Sequence, residues 1–194
     1  MTLVVFSIGC GDRQAQRAEA DARRAAAEAD EARGREAAAA RREAARQAAL
    51  WTYQDTAPGT MHQVTAAVKS ANDVDVDGSG ARPVRLIFRD HASWGRSSYL
   101  VMEAGDFDCY GTCTVQVTVD DGPPTPMAGR RPPTDEAIAM FVNDWRALWG
   151  LTRGATRLQI AFPVKAGGTR TATFDVAGLD RSKMPGWDDV PTAK

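Results

Sequence analysis

Asp73, Asp75 and Asp77 alternate along the chain and run into Gly78. Carboxylates at every second position, followed by a glycine that allows a sharp turn, match the first half of a calcium-binding loop. The second half fails. The position that should hold the bidentate Glu is Val84, and the residues before Asp73 read as a strand, not a helix. A polar hairpin between strands is the better reading. His62 and His91 are the only histidines. Asp90, His91 and Ser93 are near neighbours, but a catalytic triad needs nucleophile, base and orienter to converge beside an oxyanion hole. The chain has no G-x-S-x-G, no H-E-x-x-H and no phosphate-binding loop. Two histidines without ligand spacing argue against catalytic zinc. No catalytic residue, no metal and no cofactor is expected, and the chain reads as a non-enzyme.

Arg82, Arg85, Arg89 and Arg96 gather in one stretch. Arg85 and Arg89 are four apart on a predicted strand and so share a face. That face is either the solvated side of a half-buried sheet or a docking patch for an anionic partner, with Arg85 and Arg89 as the docking residues. The net charge of −1 argues against a general nucleic-acid binder, which should carry a basic face. Cys109 and Cys113 flank Tyr110, Gly111 and Thr112. A tight loop of this length suits a structural disulfide if the two side chains face each other. A redox site fits less well, because the spacing is C-x-x-x-C with no thioredoxin-like surroundings. Metal ligation fits least.

Four segments must position these groups: residues 1–10, 11–50, 51–179 and 180–194. From Asp12 to Leu50 the chain is built mainly of Ala, Arg, Glu, Asp and Gln, without Pro or β-branched residues. These are strong helix formers, so one long helix is expected, about 55–60 Å long. Glu19 with Arg23, Arg24 with Glu28, and Glu31 with Arg35 fall at helical spacing. Ala15, Ala18, Ala22, Ala25, Ala29 and Ala32 trace a heptad seam that breaks near Gly34. Ala buries little, so a solvated spacer is the first reading and a weak coiled coil, pairing two copies as a homodimer, the second.

Composition changes at Trp51 to β-branched and aromatic runs punctuated by Gly and Pro. Strands are expected at 61–68, 84–89, 99–103, 114–119, 158–162 and 171–176. One helix is expected from Thr134 to Trp149, with Thr134 as N-cap, Asp135 and Glu136 in its first turn, and Ile138, Phe141, Val142, Trp145, Leu148 and Trp149 as its apolar stripe. Gly150 would follow as C-cap. The fold class is α+β: a long N-terminal Ala-rich helix, then a mainly antiparallel β-sandwich-like domain with one packed helix. Residues 180–194 read as an extended or disordered tail.

The first ten residues set the compartment. Leu3 to Gly9 is an apolar run that ends in Cys10 and gives way to Gly11, Asp12 and Arg13. A small residue and then Cys at the end of such a run resembles the lipobox of bacterial lipoprotein signal peptides. The resemblance departs from the pattern at Ser7 and Ile8. The run has no Lys or Arg before it, as expected if Met1 is an internal start. It is also far short of the roughly 20 apolar residues of a membrane span. The resemblance implies lipidation at Cys10, a membrane partner through the lipid, and a periplasm-facing location. Gly11 lacks the Asp that retains many lipoproteins at the inner membrane, so the outer membrane is favoured. With Cys10 assigned to lipid, Cys109 and Cys113 are an even pair, and in an oxidising periplasm they are expected to be joined.

A second resemblance covers about residues 51–179. Its elements are Trp51-Thr52-Tyr53, Gly105-Asp106-Phe107-Asp108-Cys109, Cys113-Thr114-Val115-Gln116-Val117, Asp120-Asp121-Gly122 and Phe174-Asp175-Val176-Ala177-Gly178-Leu179. Together they resemble an uncharacterised family of proteobacterial envelope proteins, often lipoproteins, distantly similar to type VI secretion accessory lipoproteins. The resemblance implies a β-rich envelope domain and carries over no catalytic residues. Two functions are then expected in order. The first is a lipid-anchored, non-enzymatic module that binds an envelope protein or peptidoglycan. The second is a periplasmic inhibitor or accessory factor of a cell-wall hydrolase or secretion machine.

Overall fold

A computed structural model describes residues 11–56, 62–132 and 138–189. Cys10 and its apolar run, and Thr134, Asp135 and Glu136, lie outside the described residues. The chain divides after Ala44 into two compact units.

The first unit is most of α1, Gly11–Ala48. Its described side chains are exposed almost throughout. Glu19 and Arg23 lie 2.5 Å apart, and Glu31 and Arg35 lie 3.6 Å apart, as their spacing predicts. Arg33 pairs in addition with Asp30. Exposed pairs of this kind contribute only a few tenths of a kcal/mol each. Among the described residues no helix is long and apolar enough to cross a membrane.

The second unit is a nine-stranded sheet: β1 Trp51–Asp55, β2 Gln63–Val74, β3 Arg82–His91, β4 Gly95–Val101, β5 Cys113–Val119, β6 Thr125–Arg130, β7 Ala139–Val142, β8 Arg157–Pro163 and β9 Thr169–Asp175. The spatial order is β1-β2-β3-β4-β7-β6-β5-β8-β9, and every neighbouring pair is antiparallel. One helix, α2 Trp145–Leu151, packs on it. The expected class, an N-terminal helix and a mainly antiparallel domain with one packed helix, is what the structure shows.

Alternation builds the core. Val84, Leu86 and Phe88, Val115 and Val117, Leu158, Ile160 and Phe162, and Ala172, Phe174 and Val176 all point inward and are buried. A bulge then folds the sheet on itself. Lys69 pairs with Arg85, yet Asp73 pairs with Pro83, so Ser70 to Asn72 have no counterpart on β3. Ser70 Oγ accepts from the Val84 N–H at 2.9 Å and donates to the Asn72 carbonyl at 2.7 Å, which repairs the broken ladder. The bend aims Asn72 at β9. Its amide donates to the Thr171 carbonyl at 3.0 Å and accepts from the Thr173 N–H at 2.7 Å, in place of a strand backbone. This junction holds β9 beside β2, so that the two ends of the sheet meet.

Two expectations need correction. The helix predicted from Thr134 to Trp149 is instead a strand followed by a shorter helix. Ala139 to Val142 form β7, which joins β4 to β6 in the middle of the sheet. A short apolar run suits either element, and here the two unfilled strand edges on β4 and β6 decide it. Asp144 is the N-cap of α2, its side chain accepting from the Ala147 N–H at 2.9 Å, and the C-cap is Thr152 rather than Gly150. The second correction concerns the tail. Residues 180–189 form a 3-10 turn, Arg181–Lys183, and then bury Met184 and Trp187. Trp187 lies with its ring centroid 4.9 Å from Trp145, 4.8 Å from Trp149 and 5.7 Å from Phe88. Its polar and Pro/Gly-rich neighbours hide a large apolar anchor from any reading of local composition.

Candidate functional site

Arg85 and Arg89 share the outer face of β3, as the strand period requires, but their surroundings differ. Opposite Ile87 stand Ala67 on β2 and Tyr99 on β4, Phe141 lies beyond Tyr99, and Arg130 lies beyond Phe141. Arg89 sits among these rings. Its guanidinium carbon is 5.3 Å from the centroid of Trp94, 5.2 Å from Tyr99 and 5.9 Å from Phe141. Cation–π contacts of this kind offset the charge without a carboxylate, while the buried Arg89 Nε has no hydrogen-bond partner among the described residues. Burial pushes the Tyr99 hydroxyl above its ordinary pKa, and the positive charges of Arg89 and Arg85 partly oppose that rise.

Arg85 is exposed and faces Lys69 directly across the β2–β3 ladder. Like charges opposed on one sheet face are destabilising. Neither makes an ion pair or side-chain hydrogen bond among the described residues. Together they line a groove of about 530 Å³ with Ala49, Leu50, Glu103 and Asp175. The carboxylates of Glu103 and Asp175 also lack ion-pair and hydrogen-bond partners among the described residues. The other expected members of the basic cluster are engaged elsewhere or lie apart. Arg96 donates to Asp90 at 2.8 Å and stacks on Trp145, and Arg82 begins β3 beyond the bulge.

Cys109 and Cys113 are joined, with Cα atoms 4.9 Å apart. The loop they close is braced from outside. Asp106 lies 2.8 Å from Arg131 and 2.5 Å from Lys165, and Lys165 donates to the Tyr110 hydroxyl at 2.8 Å. These hydrogen bonds hold the Lys165 ammonium above its ordinary pKa. The disulfide therefore sits within a structural brace, with Cys109 buried and Cys113 half-buried.

The remaining chemistry-bearing residues serve the backbone. Asp75 Oδ1 accepts from the Gly78 N–H at 2.7 Å, and Asp77 Oδ1 accepts from the Ser79 N–H at 2.9 Å, so these carboxylates shape the hairpin. Hydrogen bonds from Ser79 hold the Asp77 carboxyl below the usual range. No group of acidic, histidine or cysteine side chains with metal-site geometry occurs among the described residues. His91 Nδ1 accepts from the Ser93 N–H at 3.1 Å, which helps fix a turn. Asp120, in the left-handed region at φ 49°, accepts from the Thr156 hydroxyl at 2.5 Å and the Arg157 N–H at 2.9 Å. These bonds depress its pKa and clamp the start of β8. Sequence reasoning missed Lys69, Glu103 and Asp175. The signal for Lys69 was the β2–β3 register, which the bulge concealed, and nothing local marked Glu103 or Asp175. No protein family, no curated protein and no solved structure matches the chain.

Proposed function

We propose that this chain is a non-enzymatic, lipid-anchored binding module of the bacterial envelope. Cys10 carries the lipid, α1 is the spacer, and the outer face of β2 and β3 docks the partner at Arg85 and Lys69. The observation that carries this reading is the Cys109–Cys113 disulfide, a bond that persists in oxidising compartments outside the cytoplasm. The lipobox-like approach to Cys10 and the resemblance to envelope lipoproteins agree with it. The candidate catalytic groups are occupied as turn, cap and brace, whereas the charges of the groove are free to meet a partner. Arg89 serves that face by stiffening it, stacked among its rings, while Arg85 makes the contact.

The test uses the full-length protein in a bacterial envelope. Metabolic labelling with a clickable fatty acid should mark the protein and not its Cys10→Ser form. Chemical cross-linking in the same envelopes should yield a discrete adduct that is lost when Lys69→Glu and Arg85→Glu are combined. Equal labelling of both forms rejects the anchor, and an adduct indifferent to charge reversal rejects the docking face.

A further inference from the structure

The groove holds two cations and two carboxylates, none paired with another. Lys69 and Arg85 stand side by side on adjacent strands, and Glu103 and Asp175 line the same space. A surface meant for a polyanion would exclude Glu103 and Asp175, whose charge repels phosphate-rich chains. A mixed set suits a ligand that carries both signs. A carboxylate seated between Lys69 and Arg85 relieves their mutual repulsion and gains charge-assisted hydrogen bonds. An ammonium on the same ligand meets Glu103 and Asp175.

Size and lining narrow the class. At about 530 Å³ the groove lies within the roughly 300–1,000 Å³ of small-ligand clefts. Its apolar part consists of Ala49, Leu50, Ala67, Val68 and Ala71, with no aromatic side chain. Folded protein partners usually anchor on buried Trp, Tyr or Arg hot spots, and this groove offers no aromatic anchor. We infer that it binds a short zwitterionic peptide with one free amine and a free C-terminal carboxylate, the charges that the stem peptides of a bacterial cell wall present on a diamino side chain and at the chain end. This inference rests on the binding-module reading above and specifies its ligand.

The full chain is titrated calorimetrically with the free tetrapeptide Ala-Glu-Lys-Ala, with the same peptide acetylated on both amines, and with the same peptide amidated on all carboxyls. The free form should bind saturably, and each neutralised form should bind at least about tenfold more weakly, as the loss of a charge-assisted contact implies. Lys69→Gln combined with Arg85→Gln should weaken the free form to the level of the amidated one. Glu103→Gln should narrow the gap between free and acetylated forms. All these positions but Asp175 are exposed, so folding is checked simply by an unchanged melting curve. Purified cell-wall sacculi should pellet the full chain, and the free peptide should release it. No saturable binding, equal binding of the three peptides, or tighter binding to polyglutamate or phosphatidylglycerol vesicles would overturn the inference. So would dimerisation abolished by Arg85→Gln, which would make a second copy the occupant. If the peptide fails while the charge-dependent envelope adduct persists, the binding-module reading stands and only its ligand is wrong.

Discussion

Replacing Trp187 by Ala tests the most consequential packing in the molecule. Trp187 is 2% exposed and touches Trp145, Trp149 and Phe88. A Trp side chain buries about 200 Å², and at about 25 cal/mol/Å² its removal forfeits about 5 kcal/mol. One effect runs the other way. Among the described residues the buried Trp187 Nε1 has no hydrogen-bond partner, so deleting it relieves an unsatisfied donor worth about 1–2 kcal/mol. The net loss is about 3 kcal/mol, at the lower end of the usual range for Trp→Ala in a core. With a urea m-value of about 2 kcal/mol/M, the midpoint of the full chain should fall by about 1.5 M. Trp187→Phe keeps a ring in place and drops the orphan N–H, so it should cost about 1 kcal/mol or less. Trp94→Ala, at a site 67% exposed, should also cost under about 1 kcal/mol. A midpoint shift for Trp187→Ala no larger than that of Trp94→Ala would show that residues 184–188 do not close the core, and the argument for a structural C-terminal segment would fail.

The same segment predicts a pH dependence. Asp188 accepts from Arg181 Nε at 2.9 Å and from Trp149 Nε1 at 2.8 Å, and Arg181 above all holds its carboxyl down to about 2. A depressed carboxyl contributes stability above its unfolded pKa near 4 and loses it as pH falls toward 2. Because the side chain is 39% exposed, solvent screening leaves about 1 kcal/mol of that contribution. Acid titration of the melting temperature should show this loss between about pH 4 and 2, and Asp188→Asn should flatten it. The disulfide predicts a modest effect. Joint Cys109→Ala and Cys113→Ala should cost about 2 kcal/mol in urea titration, because so short a loop gains little entropy on opening. Intact mass of envelope-derived protein should lie two hydrogens below its reduced form, and free thiols at both positions would contradict the bond.

Local chemistry made the helical segment and most strands legible. Residues 11–48 have no strand former to compete with helix, and runs such as Val115-Gln116-Val117-Thr118-Val119 alternate so cleanly that only a half-buried strand suits them. Cys109 and Cys113 are close enough in sequence to meet once the loop between them turns. The features that the sequence left open depend on partners remote in the chain. Ala139 to Val142 are a strand only because β4 and β6 offer edges on both sides. Trp187 is an anchor only because Phe88, Trp145 and Trp149 converge on it. The groove exists because a bulge brings Lys69 opposite Arg85 and turns Asn72 toward β9. Propensity and period act over a few residues and can be read from the chain. Register, burial and the pairing of charges are set by contacts many tens of residues apart, and only the folded sheet decides them.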